Sequence, residues 1–313
     1  MTATDITPLV LITGPTRGLG KDLALTLARR RVRLLLLGRN ADELAGVAQL
    51  VRSAGAPVVE CVTLNLSSFA SVRAAAKRVA CMISDTNLGA ISAVVANAGI
   101  QMGGRTSITT DGLETTFGVN VVGNHLLLQL LRPQLRDHAH VVIVGSGTHF
   151  GDPITRTMVA APQWQEPAAL AQPLLPSEDS AKAGQCAYST SKLGVNYLVH
   201  ELNRRWPMAM RVNIYDPGLM PGTGLARDLP SFKQWAWNNV MPVLKILPGV
   251  SSTANSAERL ARLTLGDEHP SARNEYIEIG KLTKASKDSF DPKRERELWE
   301  YCETITNETA QTS

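Results

Sequence analysis

Two residues four apart are the first in this chain that could do chemistry: Tyr188 and Lys192, in the stretch AYSTSK. On a helix, positions i and i+4 lie one above the other on the same face. A phenol with an ordinary pKa near ~10 is a poor proton donor or acceptor at neutral pH. An ammonium beside it is therefore either a device for acid–base work or an ordinary surface pair. Such a pair is common, and the rest of the chain has to decide.

A second group is TGPTRGLG, residues 13–20, with Gly14, Gly18 and Gly20 spaced G-x-x-x-G-x-G. It follows an apolar run and precedes a helical pattern. There, glycines permit a tight turn and close backbone approach, so that helix N-terminal amides can face a pyrophosphate. The motif alone is weak, but its place between the first strand and first helix favours dinucleotide binding. An acid that would hold a ribose 2′-hydroxyl is expected at the end of the second strand in NAD-binding proteins of this design. The stretch LLLLGRN puts neutral Gly38 there, followed by Arg39, and Arg17 lies inside the glycine loop. Two guanidiniums and no carboxylate suit a 2′-phosphate, since arginine offers bidentate, charge-assisted bonds to phosphate oxygens. NADPH is the expected cofactor, against the alternative that Arg39 is only a solvated loop cation.

The elements that must position these residues follow from hydrophobic patterning. Residues 8–14, 32–38, 58–66, 91–99, 140–146, 210–218 and 274–280 are short runs rich in Val, Leu and Ile. They lack strict alternation and so read as buried strands. Helical stretches fall at about 19–30, 41–54, 67–84, 111–136 and 186–205. Alternation of this kind predicts an α/β fold, a doubly wound Rossmann-type parallel sheet that binds ligands beyond the C-terminal strand ends. A single domain over 1–313 is expected, with an insertion at 147–184, a substrate-lid segment at 219–250 and a C-terminal helix and tail at 291–313.

Composition narrows the class. The chain is 44% hydrophobic and 19% charged with a net charge of +4, an ordinary globular balance without a basic stripe for nucleic acid. The run RRRVR, from Arg29 to Arg33, sits where the first helix should end, and helix C-termini favour cations. Four scattered cysteines and no clustered histidine argue against a disulfide scaffold and against a metal site. Cys186 reads as a small buried thiol. No apolar run reaches the length of a membrane helix, and MTATDITPLVLITG lacks the basic region of a signal peptide. The expectation is a cytoplasmic protein acting on a small molecule.

Taken in order, TGPTRGLG, Asn97–Ala98–Gly99, NVVG at 120–123, Gly145–Ser146, YSTSK and Pro217–Gly218 resemble the short-chain dehydrogenase/reductase family over roughly residues 8–280. Within it, DGLETTFGVNVVGNHLLLQLL (111–131) and DPGLMPGTGL (216–225) look most like the branch of retinol dehydrogenases and protochlorophyllide reductases.

The resemblance implies that Asn120, Ser146, Tyr188 and Lys192 are catalytic. Tyr188 would be the general acid in reduction, and Ser146 would polarise the carbonyl. Asn120 would bind a water relaying protons to Lys192, and Lys192 would also hold the nicotinamide ribose. At ~5 Å and an effective dielectric near ~20, one charge is worth about 3 kcal/mol, or roughly 2 pKa units. Lys192, aided by the oxidised nicotinamide, would therefore draw the phenol toward neutrality.

The cofactor set implied is Gly14, Thr16, Arg17, Gly18, Leu19, Gly20, Arg39, Asn65, Leu66, Asn97, Ala98, Gly99, Tyr188, Lys192, Pro217, Gly218, Met220 and Thr223. Of these, Asn65 and Leu66 would lie near adenine. His149, Leu219 and Trp235 are candidate substrate contacts, with a loop hydrogen bond the competing reading of His149. Trp235 and Trp237 would belong to an apolar lid, with a shallow membrane-facing patch the competing reading.

Four departures from the family pattern stand out: Asn65 for an aspartate, Gly222 for a threonine that Thr223 could replace, Gly145 for a serine, and Leu219 where protochlorophyllide reductases have a cysteine. The expected activity is NADPH-dependent reduction of a ketone or aldehyde on a fairly large apolar substrate. Reduction of a C=C bond, or a non-catalytic dinucleotide-binding sensor, are the alternatives. Many relatives pair through the helix of the Tyr and Lys. The long insertion ahead of it favours a monomer or homodimer over a tetramer.

Overall fold

The computed structural model describes residues 7–85, 88–102, 107–152, 155, 159–173, 180–220 and 251–311. The first half alternates β1 (Leu9–Thr13), α1 (Gly18–Arg29), β2 (Arg33–Gly38), α2 (Ala41–Ser53), β3 (Val59–Thr63), α3 (Phe69–Asp85) and β4 (Ile91–Ala96). Then come α4 (Thr115–Phe117), α5 (Asn124–Leu131), β5 (Leu135–Val144), the short α6 (Pro167–Leu170), α7 (Ser180–Arg205) and β6 (Arg211–Asp216). The chain closes with α8 (Thr253–Leu265), β7 (Tyr276–Glu278), β8 (Lys281–Thr283) and α9 (Pro292–Gln311). The sheet order is β3-β2-β1-β4-β5-β6-β7-β8. All neighbours are parallel except β7 and β8, which form an antiparallel edge pair. The order reverses between β1 and β4, which opens a crevice at their C-terminal ends.

Both faces of the sheet are covered, which is why the strands read as unbroken apolar runs. Leu9, Leu11, Leu35 and Leu37 point into one core with α3, α5, α7 and α9. Val10, Ile12, Leu34 and Leu36 point into the other with α1, α2 and α8. Arg30, from the basic run, ties the end of α1 to Glu258 of α8 and to Asp267. Arg33 spends its guanidinium on the carbonyls of Thr7 and Leu88, both at 2.8 Å.

The expected helix over 111–136 is interrupted. Gly118–Gly123 forms a wide π-helical turn between α4 and α5, a distortion that recurs at functional sites. Here it carries Asn120. Helix α7 begins at Ser180 rather than at 186, so the insertion ahead of it ends before residue 184. Within that insertion Trp164 packs edge-on to Tyr197, with ring centroids 4.6 Å apart, and so covers part of α7. Helix α8 lies where no helix was expected. Helix α9 docks on α7 and α5 through Leu298, Trp299 and Cys302, and its buried Glu295 accepts from His200 at 2.8 Å. No helix among the described residues is long and apolar enough to cross a membrane.

Candidate active site

The C-terminal ends of β1, β2, β4, β5 and β6 bring the sequence-selected residues together. Gly14, at φ +66°, turns the chain out of β1 in a conformation that glycine adopts without cost. Asn97 clamps the loop from β4: its amide donates to the carbonyls of Thr13 at 2.9 Å and Gly14 at 3.1 Å. The Ala98 N–H adds a bond to Thr13 Oγ1 at 2.9 Å. Asn97 is thus the strut of the phosphate loop, and its side-chain donors are spent on backbone. Gly20 sits so close beneath this loop that a Cβ there would lie 2.3 Å from Gly14 O.

At the end of β2, Gly38 is buried and Arg39 is exposed, as is Arg17 in the loop. Neither arginine forms an ion pair with a described residue. Asn65 Oδ1 accepts from the Ser67 hydroxyl at 2.8 Å, which leaves its N–H pair to face a base. Leu66 is buried next to it, and Leu19 is buried under the loop while Thr16 is partly exposed. This open, glycine-lined cradle with unpaired cations on its rim fits a dinucleotide.

The four residues expected to be catalytic converge beyond β4 and β5. Lys192 Nζ donates to Val144 O at 2.8 Å and lies 5.7 Å from the centre of the Tyr188 ring. Ser146 hydrogen-bonds the Tyr188 phenol. The Ser146 hydroxyl also accepts from Thr148, at 3.4 Å from the backbone N–H and 3.2 Å from the side chain. Asn120 accepts from the Ile100 N–H at 2.8 Å and donates to Ile100 O and to Ser191 Oγ, both at 2.9 Å. Ser191 in turn donates to Tyr188 O at 2.7 Å. Asn120 therefore joins the loop after β4 to the helix of Tyr188 and Lys192. A Cβ on Gly99 would stand 3.1 Å from Asn120 Oδ1 and 3.7 Å from Lys192 Nζ, so that glycine keeps the space between them open.

A short chain dehydrogenase family profile matches residues 8–158. A protein named as a daunorubicin C-13 ketoreductase in Streptomyces sp. (strain C5) is 27% identical over 301 residues, spanning 96% of this chain and 93% of its own. Retinol dehydrogenase 12 of Mus musculus is 35% identical over 137 residues, 44% of this chain and 42% of its own. In structure, an angucycline C-6 ketoreductase with bound NADP superposes with a TM-score of 0.65 at 19% identity, over 88% of this chain and 96% of the other. The chain belongs to the short-chain dehydrogenase/reductase family. It is an oxidoreductase that binds NAD(P), with relatives in the retinol dehydrogenase branch.

For a short-chain dehydrogenase/reductase, the electrostatics of the resting site hold one surprise. Burial pushes the Tyr188 phenol up to about 12; the Ser146 hydrogen bond pulls it down, and the Asp216 carboxylate pushes it further up. Burial also pushes the Lys192 ammonium down to about 8, with Asp216 opposing that push. The expected drop of the phenol toward neutrality is therefore not a property of the Tyr–Lys pair by itself. Desolvation is the largest influence on the phenol here.

Of the two readings of His149, the structure shows the loop hydrogen bonds. Its Nε2 accepts the Ser286 N–H at 3.2 Å, so Nδ1 carries the proton and donates to Ser146 O at 2.8 Å. Both nitrogens are spent on backbone and the ring is fully buried: His149 ties the Ser146 loop to the far end of the chain. On the nicotinamide side, Pro217 O accepts from the Ser256 hydroxyl at 2.7 Å and Gly218 N–H donates to Asp216 at 2.9 Å. Met220 is buried, and Leu219 O accepts from the Ser251 N–H at 3.0 Å. Thr223, Trp235 and Trp237 lie outside the described residues. Cys186 is half-buried, and burial pushes its thiol up, away from nucleophilic use. Sequence reasoning missed Asp216 and its partner Tyr276, although Asp216 in YDPG was a visible acid at the end of a buried strand.

Proposed function

We propose that this short-chain dehydrogenase/reductase is an NADPH-dependent reductase of a ketone or aldehyde carried on a fairly large apolar substrate. The observation that carries the cofactor choice is the rim of the cradle. Arg17 and Arg39 are exposed there without ion-pair partners among the described residues, and no carboxylate closes β2. A 2′-phosphate would give both guanidiniums a partner with the right fork geometry. Ketone reduction is what the names of two relatives print, and one of those is a complex with NADP.

Bound NADPH supplies a hydride to the carbonyl carbon. The chain's own residues handle the oxygen. The Ser146 hydroxyl donates to it and stabilises the charge that develops there. Tyr188 gives it a proton, completing the alcohol. Lys192, charged and held by Val144 O, steadies the phenolate left behind. Asn120 keeps the loop after β4 and helix α7 in register around this group. Burial of Tyr188 and Lys192, 8% and 6% exposed, keeps bulk water from competing for the proton.

Titrating NADPH and NADH into the native chain and into Arg39→Ala, followed by nicotinamide fluorescence, tests this reading. The native chain binds NADPH at least tenfold more tightly than NADH. Losing one charge-assisted bond of about 1.5–3 kcal/mol costs the variant roughly ten- to a hundredfold in NADPH affinity and leaves NADH unchanged. Equal binding of the two nucleotides by the native chain would contradict the reading.

A further inference from the structure

Behind the Ser146 loop lies a carboxylate that the reaction above leaves unused. Asp216 closes β6 and is 3% exposed. One of its oxygens accepts the Gly218 N–H at 2.9 Å, and the other accepts the Tyr276 phenol at 2.5 Å. Tyr276 is itself buried and packs on His149, with ring centroids 5.0 Å apart. A Cβ added to Gly147 would stand 3.3 Å from Asp216 Oδ2, so only a glycine separates the carboxylate from the loop of Ser146.

The sheet register places this charge close to Lys192. Lys192 Nζ is fixed on Val144 O, and Val144 on β5 pairs with Tyr215 on β6, the residue before Asp216. Neighbouring strands run about 4.8 Å apart, so Asp216 lies on the strand next to the carbonyl that anchors Lys192, one residue beyond the position paired with it. Asp216 forms no ion pair among the described residues, and a buried charge without compensation is costly.

The titratable groups that face it are Tyr188 and Lys192 from α7, His149 from the turn after β5, Tyr215 from its own strand, and Tyr276 and Glu278 from β7. Burial keeps His149 neutral, and the tyrosines and glutamate are neutral or negative. Lys192 is the cation among them.

We propose that Asp216, fixed by Tyr276 and Gly218, is the internal counter-charge that keeps Lys192 cationic in the dry site, and so is a positioning residue for the Tyr188–Lys192 pair. The proposal rests on the functional reading above, in which a charged Lys192 holds the nicotinamide ribose and the phenolate. Removing the carboxylate lets the protons of both Lys192 and Tyr188 leave at lower pH, because Asp216 raises both.

The test is the pH dependence of NADPH binding, read by fluorescence from pH 6 to 10, beside the alkaline limb of menadione reduction. Asp216→Asn is the main variant, since its amide can still accept from Gly218 and donate to Tyr276 while carrying no charge. Tyr276→Phe keeps the charge and removes one contact. Binding by the native chain weakens above about pH 8. In Asp216→Asn the weakening begins about one pH unit lower, so affinity at pH 8 falls roughly five- to tenfold, and the activity limb moves the same way. Tyr276→Phe follows the native limb. Asp216→Ser serves as the second neutral variant should Asp216→Asn fail to fold. Neutral variants whose pH profiles superimpose on the native one overturn this role while leaving the reductase reading intact. A native chain that binds no NADPH at any pH overturns both.

Discussion

Replacing Tyr188 by Phe lowers kcat by about 10²–10⁴, the range for loss of a positioned general acid, while NADPH affinity changes by no more than a few-fold. The ring is retained, so the packing of this buried side chain survives and only the phenol oxygen goes. Ser146 remains to polarise the carbonyl, which sets the residual rate above zero. Lys192 keeps its bond to Val144 O and with it the geometry of the ribose side. Single-turnover kinetics with saturating NADPH separate the chemical step from binding. A Tyr188→Phe enzyme that retained a tenth of the native rate would mean that a different group donates the proton.

Gly20→Ala has the next largest effect, and it falls on binding. A Cβ at this position would stand 2.3 Å from Gly14 O and 2.5 Å from Asn97 Nδ2. Neither neighbour can withdraw cheaply: one is backbone of the phosphate loop, and the other is the strut that holds that loop. The loop must therefore move away from the start of α1, and the amides that would face the pyrophosphate lose their alignment. Affinity for NADPH and NADH falls together by roughly a hundredfold, equivalent to about 3 kcal/mol, and thermal stability drops with it. Gly46→Ala is the matched control. It lies inside α2 with nothing within 4 Å of the added carbon, and there alanine stabilises by about 0.4–1 kcal/mol. Calorimetric titration of both variants distinguishes a loop defect from a general intolerance of glycine replacement.

The parts of this site that are local in sequence were legible before any coordinates. Tyr188 and Lys192 are one helical turn apart, the glycine loop is contiguous, and Arg39 follows directly on the apolar run of β2. The strands were legible because a sheet covered on both faces needs apolar residues at every position. What escaped depends on contacts between distant segments. His149 has a partner 137 residues away and Asp216 one 60 residues away, and no spacing rule connects such pairs. The π-helical turn at Gly118–Gly123 carries Asn120, whose partners Ile100 and Ser191 lie 20 and 71 residues away.

Helix α8 is a different kind of omission. Its signals were present: Ser252 caps it by accepting the Asn255 N–H at 3.1 Å, and Gly266 ends it at φ +81°. Its buried stripe, Ser256, Ala257, Leu260, Ala261, Leu263 and Thr264, recurs at helical spacing, so the amphipathic pattern was there to be read, and Ala257 and Ala261 are its small members. They are small because α8 lies close against α1.

In the proposed reaction a hydride passes from NADPH in the cradle to a carbonyl carbon while Tyr188 protonates the oxygen. NADPH carrying deuterium at the transferred position of C4, incubated with the enzyme and an apolar ketone that also bears a conjugated C=C bond, tests it most directly. Mass spectrometry and NMR of the product give the answer. The expected product carries one deuterium on the new carbinol carbon and none at the alkene carbons. Deuterium on a saturated alkene carbon with the ketone intact would contradict it, and would assign the same residues to reduction of a carbon–carbon bond.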